Sequence, residues 1–278
     1  KEFLYGKNTE MLYIQVPSKV DKYNPQLPIG INDMANANAD SLLQGLSVRG
    51  VQYYDLREAI HNSDIRYGDL FFITDHHWTP QAGLWAYSQV SKLLEKHYGF
   101  SINQETISSD HFSYTLLENS FLGTLGRRTG KYYADLDDFT LVIPEFKTDY
   151  NVKIYKTRDE YTEYNGSFDD TLIRKNRVDP EQPITTNRHS AYLNNDYYKV
   201  EIINNQVEDG KILIIHDSYG LTFSSFMSLN FHNTDIIDLR QFREPSVMEY
   251  LENHQYDLVL CFYNPSTFHP TMFTFKKQ

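Results

Sequence analysis

The sequence predicts an α/β protein with a mostly parallel sheet and a β-rich insertion. Three observations carry this expectation. Two strand-like apolar runs, residues 70–74 and 211–215, end in clusters of polar, titratable groups and pass into helix-like segments. Residues 80–98 carry Leu84, Ala86, Tyr87, Val90, Leu93 and Leu94 at helical spacing between Pro80 and Gly99, the pattern of a helix packed on a sheet. Between residues 101 and 209, short strand-like pieces alternate with turns rich in Gly, Asn and Asp.

Taken in order, residues 11–16 read as a strand stopped by Pro17-Ser18-Lys19 and expected to be a central strand of the parallel sheet. Residues 32–46 read as a helix carrying Met34, Ala35, Leu42, Leu43 and Leu46, and residues 51–56 as a second strand. The strand at 70–74 and the helix at 80–98 then form a βα unit, which needs a parallel sheet to receive it. In the middle stretch, residues 139–143, 152–155 and 197–203 are strand-like. After Gly210 the α/β pattern returns, with strands at 211–215, 234–239 and 256–263 and helices at 222–229 and 246–251. The expected organisation is one α/β domain over 1–278, with 101–209 as an antiparallel insertion or cap laid over one side of the sheet.

Composition narrows the function. A hydrophobic fraction of 40% with 22 Tyr and 17 Phe belongs to a folded globule, not a disordered chain. A net charge of -11 disfavours nonspecific binding to nucleic acid or anionic lipid. The short basic clusters, Arg127-Arg128 with Lys131 and Arg174-Lys175-Asn176-Arg177, read as solvated turns. Cys261 lies in an apolar run and is expected to be a core thiol. No apolar run reaches 18 residues, so no membrane span is expected here. The chain begins Lys1-Glu2-Phe3 without an initiator Met, as expected of a product whose leader or anchor has been removed.

The chemistry concentrates at the two junctions. A serine hydroxyl needs an imidazole base, itself oriented by a third group. Ser218, in a strand-to-helix turn, is the candidate nucleophile; His77 is the candidate base and Asp75 its acid. In an extended strand the side chains of Asp75 and His77 would stand about 7 Å apart, so a direct bond between them requires local curvature. His76 is the rival base. The backbone N–H groups of Ser218, Tyr219 and Gly220, and the side chain of Asn264, are candidate oxyanion donors. Tyr219 and Tyr263 offer hydroxyls to a substrate, and Trp78 reads as a wall under the site. Arg57 either binds a substrate carboxylate or pairs with Asp55 or Glu58, the second being expected.

Other readings of these residues are blander. Ser218 is equally placed to be a helix N-cap. Residues 121–130 hold glycines but no nucleotide-binding pattern and read as an active-site rim or tight turn. Residues 185–189 either line a cleft or form a plain surface loop, and the loop is expected. Asp75, His76, His77, His216 and Asp217 contain metal-ligating types, but neither an HExxH motif nor a thiolate cluster accompanies them. Neither metal nor cofactor is therefore expected.

Thr74-Asp75-His76-His77-Trp78-Thr79 resembles the signature of the bacterial DHHW protein family. With Asp217-Ser218-Tyr219 far downstream, the pattern is similar to that of the alginate O-acetyltransferase-like SGNH hydrolases. The resemblance runs from Val16-Pro17-Ser18-Lys19 through Tyr54-Asp55-Leu56-Arg57 to Tyr256-Asp257-Leu258-Val259. It implies a three-layer SGNH-hydrolase-like fold, with Asp75 as acid, His77 as base and Ser218 as nucleophile. It differs from the usual SGNH pattern in placing the nucleophile last, and His216 stands where some relatives have Gly. It further implies an extracytoplasmic protein, secreted or membrane-anchored, that adds or removes acetyl groups on a cell-envelope or extracellular polysaccharide through an acetyl-enzyme intermediate. The implied partners are an acetylated glycan and a membrane-bound acetyl-donor system. The alternative from another class is a non-catalytic carbohydrate-binding or assembly protein of the cell envelope that keeps the fold.

Overall fold

The computed structural model describes residues 1–193, 195–242 and 244–276. The strands among them are β1 Glu10–Gln15, β2 Gln52–Asp55, β3 Phe112–Phe121, β4 Asp137–Pro144, β5 Tyr150–Tyr155, β6 Tyr161–Gly166, β7 Lys199–Asn204, β8 Lys211–His216, β9 Asn233–Ile237 and β10 Leu258–Tyr263. An eight-stranded sheet runs β2-β1-β10-β8-β9-β7-β5-β6, and β3 pairs with β4 in a separate two-stranded sheet. From β2 to β9 in that order the strands are parallel, while β7, β5 and β6 continue the sheet antiparallel.

The period-2 alternation of the central strands splits their side chains between two cores. Leu12, Ile14, Ile212, Ile214, Leu258, Leu260 and Phe262 enter one core with Tyr87, Val90, Phe223 and Phe226, which come from the helices Pro80–Tyr98 and Gly220–Met227. Tyr13, Leu213, Ile215, Val259, Cys261 and Tyr263 enter the other, with Leu43 from Met34–Val48 and Tyr250 and Leu251 from Val247–Asn253. Both faces of the parallel region are thus covered by helices, which is the three-layer α/β arrangement. Each fully buried large apolar side chain contributes about 1.5–3 kcal/mol, so these near-continuous apolar strands hold the sheet together. Cys261 is a core thiol, its pKa pushed up to about 12 by burial.

The expected elements are present with shifted ends, and two expectations change. β1 is an interior strand of the parallel part, paired with β2 on one side and β10 on the other. Residues 101–209 do not simply lie over the sheet, because β5, β6 and β7 extend it at its edge and only β3 and β4 pair apart from it. Residues 70–74 are not a strand. A short 3-10 turn, Tyr67–Leu70, leads into a loop closed by an antiparallel bridge between Phe71 and Trp78. Phe71 and Phe72 are strand-forming in type, but they are buried as loop anchors in the helix-side core.

The Pro80–Tyr98 helix begins where the sequence places it. Thr79 is its N-cap, its hydroxyl accepting from the Ala82 N–H, and Pro80 occupies the first turn, where no N–H is missed.

Candidate active site

The loop at 71–78 turns back on itself. Phe72 N–H donates to His77 O at 3.2 Å and Thr79 N–H to Leu70 O at 2.8 Å. Residues distant in sequence hold it in this shape. The Asp137 carboxylate accepts from the N–H groups of Ile73 at 2.6 Å and Thr74 at 2.7 Å, and from the Thr74 hydroxyl. Lys19, just past β1, donates its ammonium to the carbonyls of Phe72, Ile73 and Asp75 at 2.5, 2.7 and 2.8 Å. Gly123 passes so close that a Cβ there would stand 2.3 Å from Asp75 Cβ, and only glycine permits this approach.

Ser218 sits in the turn between β8 and the Gly220–Met227 helix. The buried Asp217 carboxylate organises that turn. It accepts from Tyr219 N–H at 3.0 Å, from Asn264 N–H beyond β10 at 2.8 Å and from the Thr267 hydroxyl at 2.8 Å. Burial pushes the Asp217 pKa up, against the opposing pull of these bonds. His216 lies beneath the turn, where a Cβ on Gly220 would come within 1.9 Å of its Nδ1. Burial lowers the His216 pKa to about 4, so the ring is neutral.

The loop and the turn meet. His77 Nδ1 lies 2.6 Å from Asp75 Oδ1, and His77 Nε2 lies 2.9 Å from Ser218 Oγ, across 141 residues of sequence. The curvature a direct Asp75–His77 bond requires comes from the same turn, in which His77 N–H also donates to Asp75 Oδ1 at 3.0 Å. Thr124 N–H donates to the other carboxylate oxygen at 2.7 Å. Burial alone would raise the Asp75 pKa, but the bond to His77, its charge and the two backbone donors hold it well below the usual carboxylate range. An ionised Asp75 fixes the proton of neutral His77 on Nδ1 and leaves the Nε2 lone pair facing the Ser218 hydroxyl. Asp75 and His77 are buried, at 2% and 7% exposure, while Ser218 is only half-buried and open to a ligand.

The other sequence candidates have varied fates. His76 is partly exposed, with its ring centroid 3.8 Å from that of His77; it lies beside that ring and makes no hydrogen bond to Ser218. Burial and the charge of His77 lower its pKa. Trp78 is buried, and its indole N–H donates to Tyr219 O at 3.0 Å, tying the loop to the turn. The Tyr219 hydroxyl donates to His76 O, which makes it a second tie.

Two of the oxyanion candidates are already engaged. Tyr219 N–H donates to the Asp217 carboxylate and Gly220 N–H to Asp217 O at 2.8 Å, which leaves the N–H of Ser218 itself. Asn264 is fully buried; its side-chain N–H donates to Pro17 O at 2.6 Å and its side-chain oxygen accepts from Ser266. It braces the turn and is not aimed at a substrate. Tyr263 points into the core on the far side of the sheet, so its hydroxyl does not reach the site. Arg57 is buried in a bidentate pair with Asp55 and a further bond to Asp40, which makes it a structural ion pair.

Asp75, His76 and His77 bring three ligand atoms within 4.8 Å of one another. Both His77 nitrogens are engaged with Asp75 and Ser218, however, and His216 and Asp217 are committed to the turn, so the five residues do not form a shared metal-ligand set.

Residues 185–189 are not a plain surface loop. Arg188 is fully buried, donating from Nε to Ser120 O at 2.8 Å and from one terminal nitrogen to the carbonyls of Arg177 and Asp179 at 3.0 and 3.2 Å. The ring of the adjacent His189 lies against His77, with centroids 3.4 Å apart. An Arg-His pair in a polar loop was the available sequence signal, and it did not reveal which element the loop would meet.

A family model described as an SGNH hydrolase-like domain of the acetyltransferase AlgX matches residues 1–128, which include Asp75, His76 and His77 but end before Ser218. Among solved structures, Bacillus cereus PatB1 with a sulfonyl adduct superposes with a TM-score of 0.82 at 23% identity, covering 99% of this chain and 88% of that one. The fold is SGNH hydrolase-like. A DHHW family protein from Eubacterium siraeum superposes with a TM-score of 0.75 at 19% identity over 100% of this chain and 86% of that one. The O-acetyltransferase domain of Pseudomonas putida AlgJ does so with a TM-score of 0.51 at 12% identity, over 97% and 82%. No curated protein sequence matches the chain. The chain thus resembles the SGNH hydrolase-like acetyltransferases and the DHHW proteins, as its motifs implied. No helix among the described residues is long and apolar enough to cross a membrane.

Proposed function

We propose that the protein is a serine-dependent O-acetyl esterase or O-acetyltransferase, acting outside the cytoplasm on a polysaccharide. The observation that carries this reading is the continuous contact Asp75–His77–Ser218, at 2.6 and 2.9 Å, with Ser218 open to solvent. Nucleophilic catalysis by serine requires this arrangement. Support for the acetyl group comes from the likeness to an AlgX acetyltransferase model and to the O-acetyltransferase domain of AlgJ; the polysaccharide is the substrate class that the sequence motifs imply.

In the proposed reaction the Ser218 Oγ–H proton passes to His77 Nε2 as Oγ bonds to the acetyl carbonyl carbon. The tetrahedral intermediate collapses, the ester C–O bond breaks, and His77 returns the proton to the departing oxygen. Acetyl-Ser218 remains. Water or a sugar hydroxyl then gives its proton to His77, attacks the acetyl carbon and releases Ser218 Oγ, which takes the proton back. Asp75 stays ionised throughout and stabilises the imidazolium. The Tyr219 and Gly220 N–H groups are engaged, and the Ser218 N–H, without a partner among the described residues, is the backbone donor proposed to face the oxyanion.

Incubation with acetylated glycans and small acetyl esters, followed by mass spectrometry, tests this reading. Acetyl-ester turnover with acetyl trapped on Ser218, and the loss of both in Ser218→Ala, is the expected result. Glycan binding by a folded protein that shows neither turnover nor trapped acetyl would instead favour the carbohydrate-binding reading.

A further inference from the structure

The ring of His77 is pressed by more than its hydrogen-bonding partners. His76 lies 3.8 Å from it between centroids, tilted by 39°, and His189 lies 3.4 Å away, tilted by 40°. The Tyr219 ring stands at 5.2 Å. His76 and His189 make no ring contact with each other, which two rings so close to a third avoid only by standing on different sides of it. His76 belongs to the same loop as the base. His189 comes from the 101–209 stretch and is fixed in place by its neighbour, the buried Arg188, with its three bonds to backbone carbonyls. Neither nitrogen of His189 has a hydrogen-bond partner among the described residues, and its ring meets His77 at a tilt of 40°.

We infer that His189 is a positioning residue, through which the β-rich stretch clamps the face of His77 that His76 leaves open and holds Nε2 on Ser218. The inference rests on the serine-acyl reading for its meaning, but not for its test. The aromatic face does the holding, and the ring nitrogens are dispensable.

Burial and the proximity of His77 hold the His189 pKa well below the ordinary imidazole range; Asp75 opposes this, while His76 and Arg177 add to it. For His76, burial and His77 act with Lys19 and Arg128 against Asp75. Both flanking imidazoles are therefore neutral near pH 7, and neither repels the charge that His77 takes up when it accepts the serine proton.

Two variants separate the ring from its nitrogens. His189→Phe keeps an aromatic face and removes the nitrogens, whereas His189→Ala removes both. The first readout is the downfield proton resonance of His77 Nδ1–H, bonded to Asp75, in the intact protein; it requires no turnover. It should be sharp in the wild type and in His189→Phe and lost to solvent exchange in His189→Ala, with thermal melts showing all three folded. An equally sharp resonance in His189→Ala, or its loss in His189→Phe, would overturn the inference.

The second readout is kcat and KM for a small acetyl ester with no glycan to bind. His189→Ala should lower kcat by about tenfold or more at unchanged KM, and His189→Phe should restore most of it. A change in KM alone would overturn the positioning role. If the wild type turns over no ester while the resonance behaves as described, the acyl-transfer reading fails and the clamp stands.

Discussion

The loop at 71–78 and the turn at 216–220 meet across the 2.9 Å contact between His77 and Ser218, yet they are held in different ways. The turn is carried by regular elements. A parallel strand delivers Ser218 to the carboxyl edge of the sheet, Gly220 closes over His216, and Asp217 fastens the turn to the neighbouring segment after β10. The loop has no regular structure to rely on. Its form depends on Asp137 from β4, Lys19 after β1, and the close passage of Gly123. The regular element therefore positions Ser218, while polar bonds from other segments position His77. A substitution far from the site should disturb His77 more readily than Ser218.

The largest effect is expected where the loop has its strongest anchor. Asp137→Ala leaves the buried N–H and hydroxyl of Thr74 and the partly buried N–H of Ile73 without their acceptor, and the expected cost is about 3–5 kcal/mol of stability. In whatever fraction stays folded, activity should fall while the melting behaviour of the sheet remains cooperative. Denaturant unfolding followed by Trp fluorescence, with ester turnover on the same samples, checks both. A small stability change with full activity would mean that the loop does not depend on this anchor.

The turn should show its own signature in pH rather than in activity. His216 has an ordinary value of 6.5 that burial lowers to about 4 in the folded state. The unfolded chain therefore binds a proton between those values that the folded chain does not. Stability from this group is complete above about pH 6.5 and is lost as pH falls toward 4, by about 3 kcal/mol in all. Unfolding midpoints measured from pH 7 to 4 should fall more steeply in the wild type than in His216→Asn. Parallel curves would show that His216 is not held neutral beneath Gly220.

Tyr263 gives the smallest effect and a control on the opposite face of the sheet. Its hydroxyl is buried and has no hydrogen-bond partner among the described residues. Tyr263→Phe is therefore expected to be neutral or to stabilise the fold by up to about 1 kcal/mol, with no effect on turnover. Impaired turnover would mean that the two faces are coupled.

These differences also decide what could be read from the chain. The 3.6-residue spacing at 80–98 and the apolar runs at 211–215 and 256–263 report burial directly, and those elements appear where expected. Asp75, His77 and Ser218 stood out because titratable groups crowded against apolar runs are hard to explain otherwise. Residues 70–74 read as a strand because Phe71, Phe72 and Ile73 are strand-forming types; the partners that bend them, Asp137 and Lys19, are distant in sequence. The same limit hid His189. A polar loop at 185–189 looks solvated until the fold shows Arg188 buried and His189 against the base. Asn264 reads as an oxyanion donor because its place beyond β10 is at the site's edge, while its side chain is spent on Pro17 and Ser266.

The central claim is that His77 makes Ser218 a nucleophile. The most direct test is the rate at which a sulfonyl fluoride modifies the intact protein, with the modified residue mapped by peptide mass spectrometry. The account predicts one adduct, on Ser218, formed about 100-fold or more slowly in folded His77→Ala. A folded wild type that forms no adduct on Ser218, or a His77→Ala variant that reacts as fast, would contradict it.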